Sequence, residues 1–160
     1  MKRAGKLPGP EWGVLAFCAW QSADLLTSWR HSPYDHLGWL ALALWLVPAA
    51  LATIRLRGAN TLPHPTPLAW LALVCCIGGL LVDFTFPKYV GLALAITAVT
   101  PRLRFWPAWL ALSVAWMPGL GWLLAGLPTP SVTAARLALG FTAAVAGLIG
   151  LRRRNPAQTT

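Results

Sequence analysis

Lysine and arginine fall in this chain almost only where long apolar stretches end. In order, they are Lys2, Arg3 and Lys6; Arg30; Arg55 and Arg57; Lys88; Arg102 and Arg104; and Arg152, Arg153 and Arg154, with Arg136 alone inside an apolar stretch. The stretches are further punctuated by Ser32-Pro33, Pro63-His64-Pro65, Phe86-Pro87 and Pro128-Thr129-Pro130, all turn-forming runs. This punctuation predicts helices over 12–28, 37–54, 67–82, 89–100, 105–127 and 132–151, joined by short loops, with a polar tail over 152–160.

Composition says which solvent such helices need. Of 160 residues, 57% are hydrophobic and 11% charged, less than half the charged share of an ordinary soluble domain. A soluble chain of this length needs polar surface on every exposed face, and this one has too little. The expected fold class is therefore all-α integral membrane: a single transmembrane domain built as a bundle of about six helices in a lipid bilayer. Basic residues resist translocation, so they mark the cytoplasmic side. With the N-terminus inside, ten of the 13 Lys and Arg residues fall on inner segments, and only Arg30 and Lys88 on outer ones. The bias alternates at every loop. The expectation is a multi-pass protein of a bacterial inner membrane with both ends in the cytoplasm.

The net charge of +9 does not point to nucleic acid, because the basic residues form no stripe interleaved with stacking aromatics. Cys18, Cys75 and Cys76 lie inside apolar blocks. Their spacing offers neither a disulfide framework nor a metal motif, and they read as small buried hydrophobes. The N-terminus has the basic and apolar regions of a signal peptide, but cleavage after Ala23 would put Gln21 where a small residue is wanted. The segment reads as an uncleaved first helix. Trp12, Trp29, Trp39, Trp70 and Trp106 fall near helix ends, where indoles favour the bilayer interface. Trp45, Trp116 and Trp122 fall deeper and are expected to fill packing space. The last helix pairs Gly140 with Ala144, Ala143 with Gly147 and Ala146 with Gly150, a strip of small residues suited to close helix packing.

The polar residues gather on one side of this map. Gln21, Asp24 and Ser28 are three and four apart, hence on one face of a continuous first helix. The next loop carries Arg30, His31, Tyr34, Asp35 and His36; Asp83 ends the third helix on the same side, and Arg136 lies one turn inside the sixth. One reading is an outer-face site made of Asp24, Arg30, His31, Tyr34, Asp35, His36, Asp83 and Arg136, in which Asp/His pairs could do acid–base work. The competing reading pairs Asp24 or Asp83 with Arg136, a charge that lipid would otherwise penalise, and leaves Asp35 to cap the second helix. Two histidines in one loop do not make a metal site, and no metal or cofactor is expected. Pro118, Gly119 and Gly121 interrupt the fifth helix. Such breaks line ion paths in transporters, but no ionisable residue is expected near this one, so transport is not favoured.

Two stretches resemble the exosortase/archaeosortase family of membrane-embedded sorting enzymes. Trp29-Arg30-His31-Ser32-Pro33-Tyr34-Asp35-His36-Leu37-Gly38-Trp39-Leu40, running into an apolar helix with Pro48, is similar to the early family loop with a Tyr and a His-Gly pair. Here Leu37 separates His36 from Gly38. Phe105-Trp106-Pro107 through Trp116-Met117-Pro118-Gly119 is similar to the family's Phe-Pro start and Pro-rich break. The resemblance covers the N-terminal half of a typical member. No Cys-Ser-Gly occurs, Cys75-Cys76 is followed by Ile77, and no downstream Arg and His follow in the family arrangement. The resemblance implies a non-catalytic accessory factor acting at the outer face, with another membrane protein or a C-terminal sorting-signal helix as partner. A membrane enzyme using the Asp/His cluster and a small transporter or channel subunit are the rivals.

Overall fold

A computed structural model describes residues 9–55, 67–100, 103, 105–124 and 126–152. Among them the chain is all-helical, without a strand. The helices are α1 (Pro10–Gln21), α2 (Asp24–His31), α3 (Gly38–Arg55), α4 (Pro67–Leu81), α5 (Thr85–Val99), α6 (Trp106–Ala111), α7 (Pro118–Leu123) and α8 (Thr129–Arg152), with a 3-10 turn at Leu112–Ala115 between α6 and α7. Two of them, α3 and α8, are long and apolar enough to cross a membrane. α4 and α5 have 15 residues each, a rise of about 22 Å against a hydrocarbon core of about 30 Å. Lys2, Arg3, Lys6, Arg57, His64, Arg102, Arg104, Arg153, Arg154 and the tail lie outside the described residues.

The chain divides into two compact units, residues 1–22 with 64–99, and residues 23–63 with 100–160. In the first unit, α4 and α5 form a hairpin. Asp83 turns the chain at φ 51, a left-handed conformation that Asp tolerates better than most residues. The Phe84 N–H donates back to the Gly79 carbonyl at 2.9 Å, a link that closes a helix C-terminus. α1 packs against both helices of the hairpin. At its end the Ser22 hydroxyl donates to the Lys88 carbonyl at 3.3 Å.

The first predicted helix is thus two, interrupted at Ser22-Ala23. Ser22 ends α1, with its N–H on the carbonyls of Cys18 and Ala19, and Asp24 starts α2, where a carboxylate complements the helix N-terminus. Gln21 therefore does not share a helix with Asp24 and Ser28, and the three-residue face expected from their spacing is not formed.

In the second unit, α3 and α8 run parallel. A Cβ on Gly140 would meet the Ala41 backbone, and one on Gly147 would meet the Pro48 ring. The contacts advance seven residues along both helices, in the same direction. Gly140, Ala143, Ala144, Gly147 and Gly150 are all buried, so the small-residue strip is the packing face of α8. Backbones approach closely there because nothing larger intervenes.

Large side chains take the opposite face. On α4, Ala69, Ala72, Cys76 and Gly79 are buried, while Trp70, Val74, Ile77 and Leu81 are exposed. On α8, Phe141, Val145 and Ile149 are exposed. A helix folded by water places large apolar residues inward; these two do the reverse.

Candidate functional site

The polar centre of the second unit is built where the predicted fifth helix fails. α6 gives way at Leu112 to a 3-10 turn, and the chain is extended at Met117, with ψ 138, before α7 begins at Pro118. Pro118 has no N–H to donate, and the extended residue ends the run of helical bonds, so the carbonyls before it need other donors. Three successive carbonyls take side-chain donors, that of Met117 in addition to the Leu120 N–H at 3.2 Å. Arg136 Nη1 donates to Ala115 O at 2.9 Å and to Met117 O at 3.3 Å. Trp29 Nε1 donates to Trp116 O at 3.1 Å.

Arg136 is fully buried. Its Nη2 donates to Asp35 Oδ1 at 2.5 Å, an ion pair that joins residues 101 positions apart in the chain. Asp35 is itself buried, in the turn before α3. Burial pushes its carboxyl up from the ordinary aspartate range, against the pull of the Ser32 hydroxyl and the Arg136 guanidinium. The space around this carboxylate is tight: a Cβ on Gly121 would come within 2.6 Å of Asp35 Oδ1. Gly38 is equally constrained, since any Cβ there would collide with the Trp29 indole.

This corrects both pairings expected for Arg136. Its partner is Asp35, and Asp35 faces inward to it rather than capping α3 from the loop. Asp83 belongs to the first unit and is exposed, serving the turn between α4 and α5. Asp24 opens α2, half-buried. The helix break also has an ionisable neighbour that the sequence order hides, because Arg136 reaches it from α8.

The remaining loop residues do not converge. His31 is exposed, with Nδ1 2.9 Å from Thr27 O in its own helix; His36 is exposed, with Nδ1 3.2 Å from Pro33 O. Arg30 is exposed and Tyr34 half-buried. Each histidine bonds locally, so no Asp–His pair of the kind acid–base catalysis needs is assembled from Asp35, His31 and His36. Among the described residues no group of three or more His, Cys, Asp or Glu could hold a metal ion.

Indoles fill the space behind the pair. Trp45 and Trp109 stack with centroids 4.2 Å apart and planes 1° from parallel, and Trp116 lies against Trp45 at 5.9 Å. All three are fully buried. Trp29, placed at the interface by its position near a helix end, is buried through its bond to Trp116 O, and Trp122, expected to fill packing space, is 84% exposed. Sequence reasoning missed Trp109, whose position between Trp106 and Trp116 carried no signal of its own.

No family model matches the chain, and no curated protein or solved structure does. What fold and site define is an all-helical chain with two membrane-length apolar helices and a buried arginine–aspartate pair at a helix break.

Proposed function

We propose that this is a multi-pass inner-membrane protein, and a non-catalytic, exosortase-like accessory factor whose 29–37 loop contacts a partner at the outer face. The observation that carries the reading is the meeting of the two stretches in which the resemblance lies. Trp29 bonds to Trp116, Trp45 stacks on Trp109, and Asp35 is held beside the 105–119 break through Arg136. Trp29, Asp35 and Trp116, which lie in those stretches, are thus buried in the second unit together with Trp45, Trp109 and Arg136. The docked loop keeps Arg30, His31 and His36 outward, free to meet a protein segment.

Two further features support it. The inverted packing of α4 and α8, small inside and large outside, suits lipid as the surrounding solvent. The cysteines, which would supply a nucleophile, sit within α1 and α4, and Cys18 and Cys76 are buried.

The orientation is tested by reporter fusions: after residues 60 and 103 they should report cytoplasm, and after residue 87 the exterior. The role is tested by placing a photo-crosslinking amino acid at Arg30 or His36 in living cells. Adducts to a sorting enzyme, or to a protein with a C-terminal sorting-signal helix, are expected. Adducts to lipid alone would overturn the accessory role.

A further inference from the structure

Ala41 faces Gly140 and Pro48 faces Gly147, so α3 and α8 keep a single register along their shared face. On that register Leu37 is level with Arg136, and Gly38 with Leu137. The Asp35–Arg136 pair agrees, since it joins the chain just ahead of α3 to the same level of α8. The far ends nearly coincide: Arg55 ends α3, and Arg152 ends α8 less than one turn away along the axis. The extra length of α8 therefore lies at its start, where residues 129–136 project about 12 Å beyond Gly38.

Surface character changes at the same level. The exposed positions of the projecting part are Pro130, Ser131 and Ala134. Beyond Arg136 the exposed large side chains are Phe141, Val145 and Ile149 on α8, with Val47 and Ile54 on α3. Trp39, in the first turn of α3, is 54% exposed, and Trp122 on α7 is 84% exposed. Trp122 follows Gly121, whose Cβ would meet Tyr34 and Asp35, so α7 touches the chain just ahead of α3. The two exposed indoles thus flank the level at which Gly38 and Leu137 lie.

We infer that the apolar core of the bilayer begins at the level of Gly38 and Leu137, and that Trp39 and Trp122 anchor this unit in the phospholipid headgroup layer. This depth presupposes the membrane reading above. From Gly38 to Arg55 α3 rises about 27 Å, close to a core thickness of about 30 Å. Residues 129–136 and the Asp35–Arg136 pair then lie outside the core, where charged groups escape the cost that lipid imposes. A boundary at Val132, where the apolar stretch begins in sequence, would instead draw exposed His36 into the core. Indoles favour the headgroup layer because it accommodates an apolar ring and a polar N–H together.

The test uses the full-length protein in vesicles of phosphatidylcholine and phosphatidylglycerol. A ketone-bearing amino acid is introduced at one exposed position at a time and coupled to a nitroxide. Electron paramagnetic resonance then compares collisions with oxygen, which concentrates in lipid, and with a water-soluble nickel chelate. Labels at Val145 and Ile149 should favour oxygen over nickel severalfold more than a label at Ala134, which should favour nickel. Labels at Trp39 and Trp122 should fall between. An oxygen preference at Ala134 equal to that at Val145 would overturn the boundary. A label at Trp39 or Trp122 as open to nickel as that at Ala134 would overturn the anchor. Nickel preference at Val145 and Ile149 as well would overturn the membrane reading itself, and the depth with it.

Discussion

Trp45 and Trp109 donate to each other's backbone: Trp45 Nε1 reaches Trp109 O at 2.7 Å, and Trp109 Nε1 reaches Trp45 O at 3.0 Å, while their rings stack face to face. The carbonyl of Trp45 follows that of Leu44, whose helical donor Pro48 lacks, and Trp109 lies just before α6 passes into the 3-10 turn. Both are places where regular helix bonding lapses. Each indole gives the other's carbonyl a side-chain donor, so the two irregular stretches are bonded to each other.

Replacing either indole should therefore cost more than its lost packing. Trp45→Phe or Trp109→Phe takes the side-chain donor from a buried carbonyl, a loss of about 1 kcal/mol beyond packing. Because the second change acts on a contact already broken, the double variant should lose less than the sum of the singles. Equilibrium unfolding in mixed detergent micelles measures the three; strict additivity would show that the reciprocal bonds carry no weight.

The Asp35–Arg136 pair yields an ordered series. Asp35→Ala strands a buried guanidinium and should destabilise by roughly 3–5 kcal/mol. Arg136→Met should cost more, because it strands the Asp35 carboxylate and also takes a side-chain donor from Ala115 O and from Met117 O, which keeps the Leu120 N–H. Asp35→Asn keeps an acceptor for Nη2 and should be the mildest. A Met substitution milder than the Ala substitution would show that the two carbonyls find other partners.

Glycine positions on α8 separate close fit from mere proximity. A Cβ on Gly140 would sit 3.3 Å from Ala41 Cα, where small adjustments suffice, whereas one on Gly147 would overlap the rigid Pro48 ring. Gly147→Ala should destabilise the protein by about 1–3 kcal/mol, the usual cost of overpacking, and Gly140→Ala by less. Thermal unfolding of the two single variants, measured side by side, checks the order.

The exposed histidines should behave oppositely to the buried pair. His31→Ala and His36→Ala remove side chains that bond only to their own segment, so stability should change by no more than about 0.5 kcal/mol. On the proposed role, both should reduce crosslinking from Arg30 to the partner by several-fold. Unchanged crosslinking yields would move the contact surface elsewhere.

Much of the helical map was legible in the chain. The turn-forming runs end α2, precede α4 and meet the starts of α5 and α8, because proline and serine act locally on the backbone. The strip of small residues in α8 was legible for the same reason, since helical spacing fixes which residues share a face. The interruptions were less so. Pro118 marks one of them, but no proline or glycine marks Ser22-Ala23, where the chain leaves α1 with Ser22 bonded to Lys88 O.

What the sequence by itself determined is how much apolar surface each segment carries and where it must turn, properties set by neighbouring residues. Only the tertiary structure decided that Arg136 pairs with Asp35, that the same guanidinium serves the carbonyls beside Pro118, and that Trp45 stacks on Trp109. Those contacts join residues on different helices, and a pairing between distant positions depends on which faces the helices present to one another.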